Sequence, residues 1–289
     1  MKKTRYYIDA MVSMVSMVSI VFMVSMVFSS CSNISDDERL TTIYIEPQPG
    51  QRLVLIEDFT GQACVNCPNA TDAIHEIQQE LGDSVIAVAI HSGAMGVEKD
   101  GKYKGVAYEG LMNTFGKEYW NKWFDSTTGQ PVVMINRSLS TVTISSLMGY
   151  VADQMQRPTS VELTTFVSYD ETTREVTVSS STLAPAGTKA KYQIWVTEDS
   201  IQALQKMPDG SYNSAYVHNH VLRDAPNGAW GEEITYGEQT LALSNKFTLK
   251  ECTEEKTDYK WKEDNINIIT FVYDDEEGIL QVASNRLKK

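Results

Sequence analysis

The sequence predicts an α/β domain over residues 42–157 followed by an all-β domain over residues 158–289. Three observations predict it. A buried-strand run, Leu53 to Ile56, leads into a Cys-x-x-Cys pair (Cys64, Cys67) and an amphipathic helix. A second apolar run, Ser84 to Ile90, follows that helix closely and makes a strand–helix–strand unit. Beyond Arg157-Pro158 the pattern changes to short β-rich runs, and proline disfavours helix in the residue before it. A chain of 289 residues has a length prior of about two domains.

Taken in order, the N-terminus reads as a targeting segment outside the fold. A basic start, Met1 to Arg5, leads into an uncharged Met-Val-Ser-rich run from Met11 to Phe28, and Ser29, Ser30 and Cys31 follow. Small residues directly before a cysteine are similar to a bacterial lipoprotein cleavage box, in which Cys31 becomes the lipidated first residue. An uncleaved membrane anchor is the alternative, because the apolar run is long for a signal peptide. Residues 31–41 read as a tether. The acidic run Ser35 to Glu38 resembles a surface-export signal of Bacteroidetes lipoproteins, or is a solvated spacer. On either reading the chain is exported to a compartment where disulfides persist.

Thr42 to Glu46 alternates like an edge strand, and Pro47 to Gly50 is a turn. The run from Leu53 is expected to end at Glu57, Asp58, Thr60 and Gly61. Pro68 suits the first turn of a helix, and Ala70, Ala73, Ile74, Ile77 and Leu81 repeat on one face up to Gly82. The two strands of the unit are expected to be parallel, which brings His91 to the rim that carries the cysteines. Residues 93–114 read as a Gly-rich inserted loop with a short helix near Val106 to Met112. Phe115, Tyr119, Trp120, Trp123 and Phe124 mark a second helix, with core packing favoured over an aromatic ligand patch. Pro131 stands directly before the strand Val132 to Asn136, the position of the cis-proline loop in thioredoxin folds. Thr143 to Gln156 completes a thioredoxin-like domain.

In the second half, Val161 to Tyr169 and Glu175 to Ser181 read as a hairpin. Lys191 to Thr197 alternates, with Tyr192, Ile194 and Val196 opposite Trp195. Strands follow at Ala215 to Leu222, Lys246 to Lys250, Ile266 to Tyr273 and Ile279 to Ala283. Many short strands suggest an immunoglobulin-like antiparallel sandwich.

Composition narrows the function classes. The formal charge of −13 argues against nucleic acid and anionic lipid as partners. Cys64 and Cys67 at a helix start suit redox chemistry, with Cys64 the exposed nucleophile, Cys67 the buried resolving thiol and Pro131 holding the substrate-facing loop. A structural disulfide and a metal site are the alternatives, and zinc would need two further ligands. His91 is a thiolate-raising neighbour or a hydrogen-bonded strand-end residue. His218 and His220 are expected on one strand face, where they chelate a metal or simply pack. Asp274 to Gly278 is a solvated hairpin turn in preference to a calcium loop. Cys252 is left as a buried free thiol. No phosphate loop, nucleophile elbow or zinc-protease helix is present, so no cofactor is expected.

Three segments carry a family resemblance. The Cys-Val-Asn-Cys-Pro pair after Leu-Ile-Glu-Asp-Phe-Thr-Gly, the run Gly129 to Arg137, and His218-Asn219-His220-Val221-Leu222-Arg223 resemble the outer membrane protein 28-related lipoprotein family of Bacteroidetes. The resemblance spans about residues 40–285. It implies a thioredoxin-like domain joined to a β-sandwich, anchored at the outer membrane on its periplasmic or exposed face. The departure from active thioredoxins is Ala63, which stands where a Trp usually precedes the first cysteine. Two functions follow as expectations. One is an envelope thiol–disulfide oxidoreductase acting on protein partners. The other is a non-enzymatic, adhesin-like surface lipoprotein whose Cys64–Cys67 disulfide is structural. Both place the membrane contact at Cys31.

Overall fold

Seven consecutive buried residues, Val54–Thr60, form the first strand, β1. Glu57 and Asp58 do not end it; both lie inside it and both are buried. The computed structural model describes residues 51–138, 143–253 and 259–288. The expected edge strand at Thr42 to Glu46 and the targeting and tether segments lie outside them.

Helix α1 (Cys67–Leu81) follows, with Pro68 in its first turn and Ala70, Ile74 and Ile77 buried. Strand β2 (Val85–His91) pairs with β1 in parallel, Val54 opposite Val85 through Thr60 opposite His91. The short helix expected near Val106 to Met112 in the 93–114 loop does not form. The loop carries a hairpin of β3 (Gly101–Tyr103) and β4 (Val106–Tyr108), because the spaced glycines and β-branched Val106 favour a turn between short strands. Helix α2 (Thr114–Trp123) is capped by the Asn113 side chain, which accepts from the Gly116 N–H at 2.9 Å. Strand β5 (Val132–Ile135) follows a cis Gln130–Pro131 bond and pairs antiparallel with β1. Helix α3 (Leu147–Gln156) buries Leu147 and Val151.

Ten more strands follow: β6 (Glu162–Asp170), β7 (Glu175–Leu183), β8 (Lys189–Glu198), β9 (Ile201–Lys206), β10 (Tyr212–His218), β11 (Val221–Asp224), β12 (Glu232–Thr235), β13 (Leu241–Thr248), β14 (Ile266–Asp274) and β15 (Gly278–Arg286). Strands β9 and β12 have no counterpart in the sequence pattern, and the expected run 215–222 is two strands broken at Asn219 and His220. A positive φ of 57° at His220 makes that break.

The expected fold class, an α/β thioredoxin-like domain followed by an immunoglobulin-like sandwich, is overturned. Strand makes up 44% of the structure and helix 19%, in a mixed sheet. Eight strands share that sheet, in the order β15-β14-β8-β11-β2-β1-β5, with β12 also on β8. The joint is the β2–β11 contact, where Val221 pairs in parallel with Ala89 and the Ala89 N–H donates to the His220 carbonyl at 2.9 Å. Strands on both sides of Arg157-Pro158 therefore complete one hydrogen-bonded ladder. The physical reason is that β2 has an open edge, and pairing it removes a row of unsatisfied backbone groups.

The core follows from strand alternation. On one face Leu55, Phe59, Val88, Trp195 and Phe271 pack beneath Tyr119 and Trp120 of α2, joining early and late strands in one cluster. On the other face Val54, Ile56, Ala87 and Val133 meet Ile74 and Ile77 of α1 and Val151 of α3. Further along that face, Tyr192, Ile194 and Ile268 pack on Val176 and Val178 of a separate three-stranded sheet, β13-β7-β6. The expected opposition of Tyr192, Ile194 and Val196 to Trp195 is present, and both faces are buried.

Candidate functional site

The disulfide sits where the sequence places it. Cys64 and Cys67 are bonded, at the loop–helix junction that opens α1. The Cys64 N–H donates to the Gly61 carbonyl at 3.0 Å, which tightens the turn before it. A Cβ on Gly61 would lie 2.4 Å from the Met95 backbone, so glycine is needed there for close approach of the 93–97 loop.

Its exposure differs from the expectation. Cys64 is only 3% exposed and Cys67 1%. The cover comes from the β9–β10 hairpin. Gln205 Nε2 donates to the Cys64 carbonyl at 2.9 Å, and the Lys206 N–H donates to the Gln62 carbonyl at 2.8 Å. Gln62 extends the clasp: its Nε2 donates to the Glu109 and Leu204 carbonyls, and its Oε1 accepts from the Leu111 N–H at 2.8 Å. The two surface hairpins also meet, Tyr103 against Tyr212 with ring centroids 5.1 Å apart.

Pro131 follows its cis bond beside Gln130, whose Nε2 donates to the carbonyls of Thr60 (2.8 Å) and Ser92 (3.0 Å). That ties the C-terminal ends of β1 and β2. His91 is buried at the end of β2, and its ring meets the His218 ring edge to face at 5.2 Å. His218 and His220 do not share a strand face: His218 ends β10 and His220 lies in the turn beyond it. The His220 ring pairs with Asp199, Nδ1 to Oδ1 at 3.0 Å. Among the described residues no three His, Cys, Asp or Glu side chains gather as a metal site. Cys252 is partly buried. At the β14–β15 turn, Asp274 Oδ1 accepts from the N–H groups of Glu276 and Glu277. Cys31 lies outside the described residues.

Three groups of charged residues come together that the sequence pattern does not mark as a site. Glu57 is paired with Arg137: Oε2 accepts from the Arg137 N–H at 3.1 Å and Oε1 from Nε at 3.2 Å. The guanidinium lies 4.1 Å from the Tyr273 ring centre and 4.9 Å from that of Phe271. Burial still pushes the Glu57 carboxyl upward, against the pull of Arg137. Arg223 holds Glu109 at 2.8 Å and Glu198 at 3.1 Å, with all three side chains buried. Asp58, next to Glu57, faces α1 on the other side of the sheet with no such cation, and burial alone raises its carboxyl to about 7. Its one mark in the sequence is an acidic residue close behind an apolar run, where the pattern reads as a strand end. The three segments quoted above therefore converge: Glu57 from the first meets Arg137 from the second, and Arg223 from the third fastens the 93–114 loop.

The sequence matches the family described as Outer membrane protein Omp28 over residues 117–289. No curated protein matches. Among solved structures, protein AGR_C_4864 from Agrobacterium tumefaciens is 15% identical, with 82% of this chain and 94% of that chain covered, at a TM-score of 0.48. A GH3 β-glucosidase from Bifidobacterium adolescentis is 8% identical, with 45% and 17% covered, at a TM-score of 0.22. Neither likeness bears on activity.

Proposed function

Because the chain belongs to the Omp28 outer membrane protein family, we propose that it is a non-enzymatic binding lipoprotein of the outer membrane, with Cys31 as its lipid anchor and the Cys64–Cys67 disulfide as a structural clasp. The observation that carries the reading is the burial of both cysteines, with the β9–β10 hairpin bonded to the Cys64 backbone. Thiol–disulfide exchange requires an attacking thiolate to reach a sulfur in line. With Cys64 3% and Cys67 1% exposed, the folded chain gives an attacking thiolate little room, and the clasp is built from the neutral hydrogen bonds of Gln62 and Gln205. Such bonds are individually worth about 0.5–1.5 kcal/mol and act here as a connected set.

The disulfide closes a very short loop, so its gain from chain entropy is small. Its role in this reading is geometric: it fixes the turn that Gln62 and Gln205 grip. Binding of an envelope or surface partner is then a property of the folded surface.

Trapping tests this directly. A Cys67→Ser variant expressed in its own envelope leaves Cys64 free to hold a mixed disulfide. The structural reading expects no trapped partner; a defined trapped protein would establish exchange. Palmitate-analogue labelling abolished by Cys31→Ala is the result expected for the anchor, and label surviving that change would refute it.

A further inference from the structure

A cavity of about 320 Å³ lies between α1, the ends of β1 and β2, and β10. The chain has four histidines, and all four line it: His75, His91, His218 and His220. Two carboxylates also line it, Asp58 and Asp72, and among the described residues no Lys or Arg does. Much of the remaining wall is apolar, including Ile74 of α1 and Ala87 to Ala89 of β2. The volume is at the small end for an organic ligand.

Two of these groups are built for recognition. Asp58 is 3% exposed and His218 6% exposed. Among the described residues Asp58 Oδ1 and His218 Nε2 have no hydrogen-bond partner. Leaving such an atom unsatisfied costs about 1–3 kcal/mol. His218 is held in place by its backbone hydrogen bonds at Ala203 and Leu204 and by ring contacts with His91 and Tyr216. Burial keeps its imidazole neutral, and Nε2 is a buried ring nitrogen without a partner that can accept a hydrogen bond.

We propose that this cavity binds a small organic amine, whose ammonium group donates to Asp58 Oδ1 and His218 Nε2 while its apolar body rests on Ile74 and Ala87 to Ala89. Two buried acceptors, a second carboxylate at Asp72 and, among the described residues, no Lys or Arg match a cationic donor better than an anion. The net charge of −13 favours the approach of cations over the whole surface. The inference rests on the binding-protein reading above and names its ligand class. A finding that thiols turn over Cys64–Cys67 would sink that reading and leave the amine result standing.

The test is calorimetric titration of the full chain in non-ionic detergent with 2-phenylethylamine, 2-phenylethanol and 3-phenylpropionate. The amine is expected to saturate one site at least tenfold more tightly than the alcohol, with no binding of the carboxylate. Ring signals of His91 and His218 should shift in NMR spectra of the same titration. Asp58→Asn should weaken the amine tenfold or more. Thr71→Phe, which fills the cavity from α1 and leaves Asp58 in place, should abolish binding and serves if Asp58→Asn does not fold. Equal binding of the alcohol or carboxylate, unchanged affinity in the variants, or no saturable binding of 2-phenylethylamine or of propylamine would overturn the proposal. Displacement of the amine by stoichiometric zinc would overturn it as well, marking a metal site.

Discussion

Gln205 Nε2 donates to the Cys64 carbonyl at 2.9 Å, so a strand from the C-terminal half fastens the lid over the disulfide. The same amide reaches the Gly61 carbonyl at 3.4 Å and the Lys206 carbonyl at 3.0 Å. Gln205→Ala removes these bonds and leaves buried carbonyls less satisfied. A loss of about 1.4 kcal/mol in lid closure is a tenfold rise in the open population. Reduction by dithiothreitol, followed by alkylation and mass spectrometry, should therefore run about tenfold faster in the variant. An unchanged rate would mean that the hairpin does not control access.

The Glu57–Arg137 pair predicts a stability pattern. Removing one partner of a buried pair strands a charge, whereas replacing both with apolar residues is often near neutral. Arg137→Met should cost about 3–5 kcal/mol in urea unfolding. Glu57→Met combined with Arg137→Met should recover most of that loss. Additive losses would show that the pair is not coupled.

Gly61 predicts a packing defect. A Cβ there would sit 2.4 Å from the Met95 carbonyl carbon and oxygen, both of them backbone atoms. Gly61→Ala must push the 93–97 loop away and should destabilise by about 1–3 kcal/mol. The variant's thermal midpoint checks this, and a parental midpoint would contradict it.

Asp58 and His218 predict opposing pH slopes. The folded state raises Asp58 from 3.8 to about 7, so its contribution to stability is full below pH 3.8 and is lost as pH rises through about 7. The folded state lowers His218 from 6.5 to about 4, so its contribution is full above pH 6.5 and is lost as pH falls through about 4. Between pH 4 and 6.5 the two slopes oppose. Asp58→Asn should unmask loss of stability on acidification, and His218→Gln the reverse, each by up to about 1.4 kcal/mol per pH unit. His91, Tyr216, Asp72 and the other cavity groups are shared by all three proteins, so differences between the profiles isolate each residue. Urea unfolding from pH 4 to 8 measures it, and identical profiles would refute the assignment.

Local pattern made much of this structure legible. Period 3.6 at Ala70, Ile74 and Ile77 located α1, and two apolar runs located β1 and β2 with their parallel pairing. The Cys-x-x-Cys spacing anticipated the disulfide. What periodicity cannot carry is partner choice between distant strands. Val221 pairs with Ala89, and that contact merges two expected domains into one sheet. The same blindness hid the lid: Gln205 lies on a strand whose alternation is broken by polar residues, and nothing near Cys64 in sequence announces it. The apolar pattern ends at Glu57 and Asp58, so it does not show that Asp58 is buried; that burial depends on α1 and β10, which line the cavity beside it.

Whether Cys64–Cys67 is a structural bond or an exchanging one is read from its reduction potential. The folded full chain is equilibrated with dithiothreitol redox buffers and the reduced fraction is read by alkylation. A structural bond is expected at a potential below about −300 mV, the range of disulfides that resist the glutathione pool. A value near the −120 to −270 mV span of dedicated thiol exchangers, reached without unfolding, would contradict it.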